Sequence, residues 1–188
     1  MIKIGLTGSI ASGKTTACKI ISSRGVPIFS ADKVVQKLYK KKSFKKLVSK
    51  KLKLQFNLEF KKIIKNKILK DKKTLSKLEK IIHPIVRKEM FIFLRKNKNK
   101  KLLLCEIPLL IESKLTKYFD VLIFIRSKQK LRLKRYKQKK GNVKLFSILN
   151  KHQIKDTRKM KLCDHIVVNN KSLTVLKKNL LNIIKLYE

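Results

Sequence analysis

The sequence predicts an α/β fold, a sheet whose strands are joined by helices in right-handed crossovers. Three observations carry that reading. Strand-length apolar runs alternate with stretches of three- and four-residue apolar spacing from the first residue onward. The runs Leu102–Cys105 and Val121–Ile125 are apolar throughout instead of alternating, as strands buried on both faces of a parallel sheet are. A glycine-bearing segment, Gly8-Ser9-Ile10-Ala11-Ser12-Gly13-Lys14-Thr15, stands between the apolar run Ile2–Leu6 and a helical pattern that opens with Thr16, Ala17, Cys18, Ile20 and Ile21.

That segment fits G-x-x-x-x-G-K-[ST] at every specified position and has the strand, loop and helix context the motif needs. Glycines at 8 and 13 let the backbone bring its N–H groups close around a phosphate. The helix behind them turns its free N–H groups and the positive end of its dipole to the same place. Lys14 would reach the β and γ phosphates, and the Thr15 hydroxyl would be a ligand of a bridging Mg²⁺. The pattern points to a nucleoside triphosphate and says nothing about what receives the phosphate.

The first helix runs from about Lys14 to Ser23, with Arg24-Gly25 as its stop. Val26 to Phe29 reads as a second strand, and Ser30-Ala31-Asp32 leads from it into Val34, Val35 and Leu38 at helical spacing. Asp32 thus suits either a reacting carboxylate at a strand end or a helix cap. Ser43 to Lys96 carries Phe44, Leu47, Phe56, Phe60, Ile63, Ile64, Ile68, Leu75, Leu78, Ile82, Val86 and Met90 broadly at steps of three and four, a helical insertion in which Pro84 should begin a new helix. After the two buried strands, Lys128 to Lys161 is helical and basic, broken at Gly141-Asn142. Ile166 to Val168 is a short last strand. The closing helix aligns Leu173, Leu176, Leu180, Ile183 and Tyr187.

With 43% apolar residues in 188, the chain is one globular domain with an inserted subdomain. Cys18, Cys105 and Cys163 are odd in number and far apart, which argues for reduced thiols, two of them in the core. No signal peptide or membrane span is evident, so a soluble cytoplasmic protein is expected, and a monomer. The 51 basic against 11 acidic residues, net +40, favour any polyanion. The lysines occupy nearly every polar stretch instead of one stripe, and no nucleic-acid motif accompanies them, so no specific nucleic-acid partner is expected.

Taken in order, the loop, Ser30-Ala31-Asp32, His83-Pro84, Pro108-Leu109-Leu110-Ile111-Glu112, the basic helices, Gln153 and the tail Asp164 to Asn170 resemble the dephospho-CoA kinase family over essentially the whole chain. The resemblance implies a P-loop NTPase-type three-layer sandwich with a five-stranded parallel sheet, a helical substrate domain and a helical, mobile lid. It places the nucleotide-binding core at 1–31, 99–126 and 162–188, the substrate domain at 32–98 and the lid at 127–161. It implies ATP with Mg²⁺ as the phosphoryl source and the ribose 3′-hydroxyl of dephospho-CoA as the acceptor. Asp32 would receive that hydroxyl and Lys14 would hold the triphosphate, together with residues 8–16: Gly8, Ser9, Ile10, Ala11, Ser12, Gly13, Thr15 and Thr16. His83, Arg87, Pro108, Leu109 and Glu112 would contact the acceptor.

Glu106 stands where relatives carry an aspartate; it either orders Mg²⁺ with Thr15 or is a strand-end carboxylate facing solvent. Among Arg132, Arg135 and Lys139, spacing to Gly141 favours Arg135 with Lys139 as lid cations on the triphosphate. Gln153 and Lys159 match family-like positions, and Asn169, beside Asn170, falls where such kinases contact adenine. The rival readings are another P-loop nucleoside or nucleotide kinase, and a nucleic-acid-binding P-loop ATPase.

Overall fold

The computed structural model describes residues 1–55 and 59–188, so Phe56 of the helical insertion lies outside the described residues. Five strands, β1 (Ile2–Thr7), β2 (Ile28–Ser30), β3 (Leu102–Glu106), β4 (Val121–Arg126) and β5 (His165–Val168), form one parallel sheet in the order β2-β3-β1-β4-β5. Successive residues of a strand face opposite sides, and both sides here are covered. Leu102 and Leu104 join Ile4, Leu6, Ile123 and Ile125 in a core under α1 (Lys14–Ser22) and α9 (Leu173–Lys185). Leu103 and Cys105 belong to a second core on the other face. This two-sided burial is why the strands read as unbroken apolar runs.

The second core is closed by α2 (Ala31–Leu38), α3 (Lys42–Leu52), α4 (Phe60–Lys70) and α5 (Lys73–Lys96). Three further helices, α6 (Gln129–Gln138), α7 (Val143–His152) and α8 (Asp156–Met160), lie between β4 and β5 in sequence. Cys18 and Cys105 are buried and the three cysteines are free thiols. Among the described residues, no helix is long and apolar enough to cross a membrane.

Four expectations fail locally. Pro84 does not start a helix; α5 runs through it without a break. Its ring removes one helical hydrogen bond and costs about 3 kcal/mol. The face formed by Leu75, Leu78 and Ile82 before it and Val86 and Met90 after it is continuously buried, and each such side chain contributes roughly 1.5–3 kcal/mol. Packing therefore outweighs the local penalty. The second strand is Ile28–Ser30, not Val26–Phe29, because its register against β3 pairs Ile28 with Leu104 and Ser30 with Glu106. On α9 the buried positions are Leu176, Leu180 and Ile184, while Leu173 is 61% exposed; two strict steps of four carry the core face past it. Leu47 is likewise exposed and Val48 takes the core position.

Pro84→Ala should stabilise the folded chain by about 1–2 kcal/mol, the recovered helical bond less the loss of proline's rigidity in the unfolded state. Equilibrium urea denaturation of the two proteins measures this.

Candidate active site

The loop after β1 is built so that a side chain at residue 13 has no room. Gly13 sits at φ +105°, and a Cβ there would come 2.1 Å from Asn169 Nδ2. It is also the N-cap of α1 and supplies no side-chain hydrogen bond, so the first-turn N–H groups stay free for an anion. The loop's carbonyls are occupied instead. Lys14 Nζ donates to the carbonyls of Gly8 (2.9 Å) and Ser9 (3.1 Å), and Asn169 Nδ2 donates to that of Ser12 (2.9 Å). Burial pulls the Lys14 ammonium below the usual lysine range, and the charges of Asp32 and Glu106 oppose that pull.

Glu106 does not face solvent; it is 1% exposed. The parallel register sets the last residue of β3 beside Leu6 and Ser30, so its carboxylate lies between the loop and the end of β2. Thr15 Oγ1 donates to Oε1 (3.3 Å) and Ser30 Oγ donates to Oε2 (2.7 Å). A buried carboxylate bonded to the motif's hydroxyl is a donor set suited to Mg²⁺, with the extra methylene of Glu accommodated. Among the described residues no group of three or more His, Cys, Asp or Glu could hold a metal by itself. Such an ion would take its other ligands from phosphate and water, as Mg²⁺ commonly does.

Asp32 does not cap α2. Ser30 is the cap, its hydroxyl accepting from the Lys33 N–H at 3.4 Å, and Asp32 falls in the first turn. Among the described residues it alone lines both a cavity of about 600 Å³ over the loop and one of about 410 Å³ among the helices. Water still reaches its side chain, but crowding by protein atoms raises the carboxyl above the usual carboxylate range, with Lys14 opposing and Glu106 adding to the shift.

The 410 Å³ cavity is mostly apolar and lies between α2, α5 and the turn after β3; His83, Arg87, Pro108 and Leu109 line it with Val35, Tyr39 and Ile82. Burial holds the His83 imidazole below its ordinary pKa, hence neutral at pH 7. Glu112 is not among the lining residues. Its carboxylate ion-pairs with the fully buried Lys159 at 2.6 Å and accepts the Ile154 N–H at 3.1 Å, tying the turn after β3 to α8.

Arg135 and Lys139 line the loop cavity with Thr15, Thr16 and Asn169. Arg135 is held there by donation to Asn169 O (3.0 Å), Ser127 Oγ (3.1 Å) and Ser12 O (3.4 Å), while Lys139 is exposed. Arg132 turns the other way. Only 4% exposed, it donates to Ile10 O (3.3 Å), Ser127 O (3.1 Å) and Asn150 Oδ1 (2.7 Å), and lies 3.8 Å from Asp156. Asp156 accepts from Ser9 Oγ, and Gln153 Oε1 accepts from the Ile10 N–H at 3.0 Å. Arg132, Gln153 and Asp156 thus strap the loop from behind, a role the sequence reading did not assign. One signal was available for Asp156, an acid among only 11 in a chain of net charge +40.

A family model for dephospho-CoA kinase matches residues 2–174. The chain belongs to the dephospho-CoA kinase family. A dephospho-CoA kinase from Bartonella quintana (strain Toulouse) is 35% identical over 175 residues, covering 90% of each chain. One from Rickettsia prowazekii (strain Madrid E) is 30% identical over 188 residues, covering 98% of this chain and 97% of its own. The solved dephospho-CoA kinase from Campylobacter jejuni is 26% identical, with a TM-score of 0.67 over 97% of this chain and 95% of that one. A shikimate kinase from Acinetobacter baumannii shares the fold alone, with a TM-score of 0.59 at 15% identity over 99% of this chain and 92% of that one. The α/β sheet read from the strand pattern, and the five-stranded P-loop kinase architecture that the resemblance implied, are the ones observed.

Arg132→Ala should destabilise the protein by about 2–4 kcal/mol, since it leaves Ile10 O, Ser127 O and Asn150 without a donor in a buried site. The same change should raise KM for ATP more than it lowers kcat, and Arg132→Lys should restore only part of either. Denaturation and steady-state kinetics read the two effects separately.

Proposed function

We propose that this member of the dephospho-CoA kinase family transfers the γ-phosphoryl group of ATP to the ribose 3′-hydroxyl of dephospho-CoA, giving coenzyme A and ADP, as a cytoplasmic monomer. The observation that carries this reading is the position of Asp32 on the shared wall of the two cavities. One chain supplies both cavities and the cations around them, which supports a monomer. The apolar lining of the acceptor cavity, with Tyr39 and Ile82 among its walls, suits the faces of an adenine ring.

In the proposed reaction the acceptor oxygen forms a bond to the γ phosphorus as the bond from that phosphorus to the β–γ bridging oxygen breaks, and the hydroxyl proton passes to the Asp32 carboxylate. Phosphoryl transfer asks little covalent chemistry of the protein, so aiming the hydroxyl in line is the larger part of Asp32's work. Lys14, the first-turn N–H groups of α1 and Arg135 hold the triphosphate and neutralise charge that spreads over the transferred group. Lys139 adds a cation at the mouth of the loop cavity, as a point charge without the planar fork of arginine. Mg²⁺ bound by Thr15 and Glu106 would neutralise the same charge and polarise the phosphoryl oxygens.

The segment 127–161 acts as the lid over residues 32–98 and the core. Its moving part is the corner around Lys139–Gly141, because Arg132, Gln153 and Asp156 hold the remainder to the loop. Closure of that corner excludes water and protects ATP from hydrolysis.

A coupled ADP-release assay with a panel of acceptors tests the assignment. Dephospho-CoA should be the preferred acceptor, and comparable turnover of nucleosides or nucleoside monophosphates, or stimulation by RNA instead, would sink it. Asp32→Asn should lower kcat by about 10²–10⁴-fold. As pH falls through the raised Asp32 value, kcat/KM of the parent should fall, and this acid limb should be absent in the variant. A carboxyl whose folded value is raised contributes stability that is lost as pH rises through that value. Once pH has risen through that value the ionised Asp32 is a liability to the fold, and there Asp32→Asn should show a higher Tm than the parent.

A further inference from the structure

The chain contains 44 Lys and 7 Arg. Where lysine fills almost every solvated position, an arginine marks a place at which a planar fork does what a point charge does not. Arg24 forks on the carboxylate of Glu188, with contacts of 3.3 and 2.9 Å. Arg132 and Arg135 hold the phosphate loop. Of the other four, Arg126 lines a different cavity, with Ser9 and Arg132, and Arg158 is exposed on α8. The remaining two, Arg87 and Arg95, line one open groove of about 420 Å³ along α5, with His83, Pro84, Lys88 and Phe91. Neither is engaged by a carboxylate among the described residues.

This groove continues the acceptor cavity, since His83 and Arg87 line both. Arg87, Phe91 and Arg95 follow one another at steps of four and so share a helix face. Arg95 lies about 12 Å along the axis from Arg87 at 1.5 Å per residue. Phe91 is held edge-on by Tyr118, with ring centroids 5.0 Å apart at 86°, which gives the groove a fixed apolar floor between its cations.

Resting on the proposed acceptor, we infer that this groove seats the acceptor's 5′-diphosphate and the first part of the chain attached to it. The 3′-hydroxyl and the 5′-carbon leave opposite sides of the ribose, so an acceptor whose 3′-oxygen meets Asp32 sends its diphosphate out of the cavity elsewhere. Arg87 stands at that exit. Two anionic phosphates on an open groove call for forked donors, and Arg87 and Arg95 supply them while Lys88 adds charge. The less polar tail beyond the diphosphate lies along Phe91. Arg95, Lys88 and Phe91 thereby set the preference for a diphosphate-bearing acceptor over a bare nucleoside.

The test compares Arg95→Ala and Arg95→Lys with the parent, using dephospho-CoA and adenosine, the latter read as acceptor or as competitive inhibitor. Loss of a charge-assisted contact should raise KM for dephospho-CoA about tenfold in Arg95→Ala, with kcat unchanged and Arg95→Lys only partly restored. Adenosine should be handled equally by all three proteins, and thermal unfolding should be unchanged at so exposed a position. An unaltered KM for dephospho-CoA, or a parallel loss for adenosine, would overturn the groove assignment while leaving the reaction intact. Absence of dephospho-CoA turnover in the parent would overturn the reaction and the groove with it.

Discussion

A loop that must present N–H groups to an anion cannot be held by regular secondary structure, and although Gln153 takes the Ile10 N–H and the Ser9 carbonyl that of Ser12, residues 8–13 are anchored chiefly through their carbonyls. Lys14 takes those of Gly8 and Ser9, Arg132 that of Ile10, and Asn169 with Arg135 that of Ser12. Donors thus converge on the loop carbonyls from α1, from α6 and from the end of β5. Each is a side chain fixed by its own element, so the loop inherits the rigidity of the sheet and helices around it. Preorganisation of this kind matters because a cradle that has to form as the ligand arrives loses binding energy to ordering.

The scarcity of acids sharpens the same point. In a chain of such positive charge most carboxylates would be expected to dissolve into the lysine background, yet several are held in specific bonds. Glu106 accepts from Thr15 and Ser30, Asp156 from Ser9, Glu112 from the Ile154 N–H, Asp164 from the Leu122 N–H and Asp120 from the Lys3 N–H. The lysines, by contrast, are mostly solvated. Their field raises the local concentration of any anionic ligand and weakens with salt, without selecting one ligand over another. Selection resides in the few carboxylates and arginines with fixed neighbours.

Much of this was legible in the residues. The motif at 8–15 names its own structural context, and the unbroken apolar runs at 102–105 and 121–125 have the length and composition of strands covered on both faces. What escaped was whatever depends on tertiary contact. Pro84 carries a strong local signal for a boundary, and a buried stripe on both sides of it prevails. Glu106 could not be judged from sequence because its neighbours, Thr15 and Ser30, are brought to it by register and not by proximity in the chain. Arg132 and Arg135 are three residues apart on α6, and nothing local decides which faces the front of the loop and which the back.

The length of α5 has a consequence for how the cavity among the helices, the proposed acceptor site, can adapt. At 24 residues it spans about 36 Å, and Leu78, Ile82, Val86 and Met90 stand on it as teeth on a single beam. That wall can shift as a whole but cannot reshape itself tooth by tooth. Any tailoring to a differently shaped guest falls to the opposite side, where Val35 and Tyr39 ride on or just beyond an eight-residue helix. Variation in what these enzymes accept should therefore be sought along the short helix, and constancy along the long one.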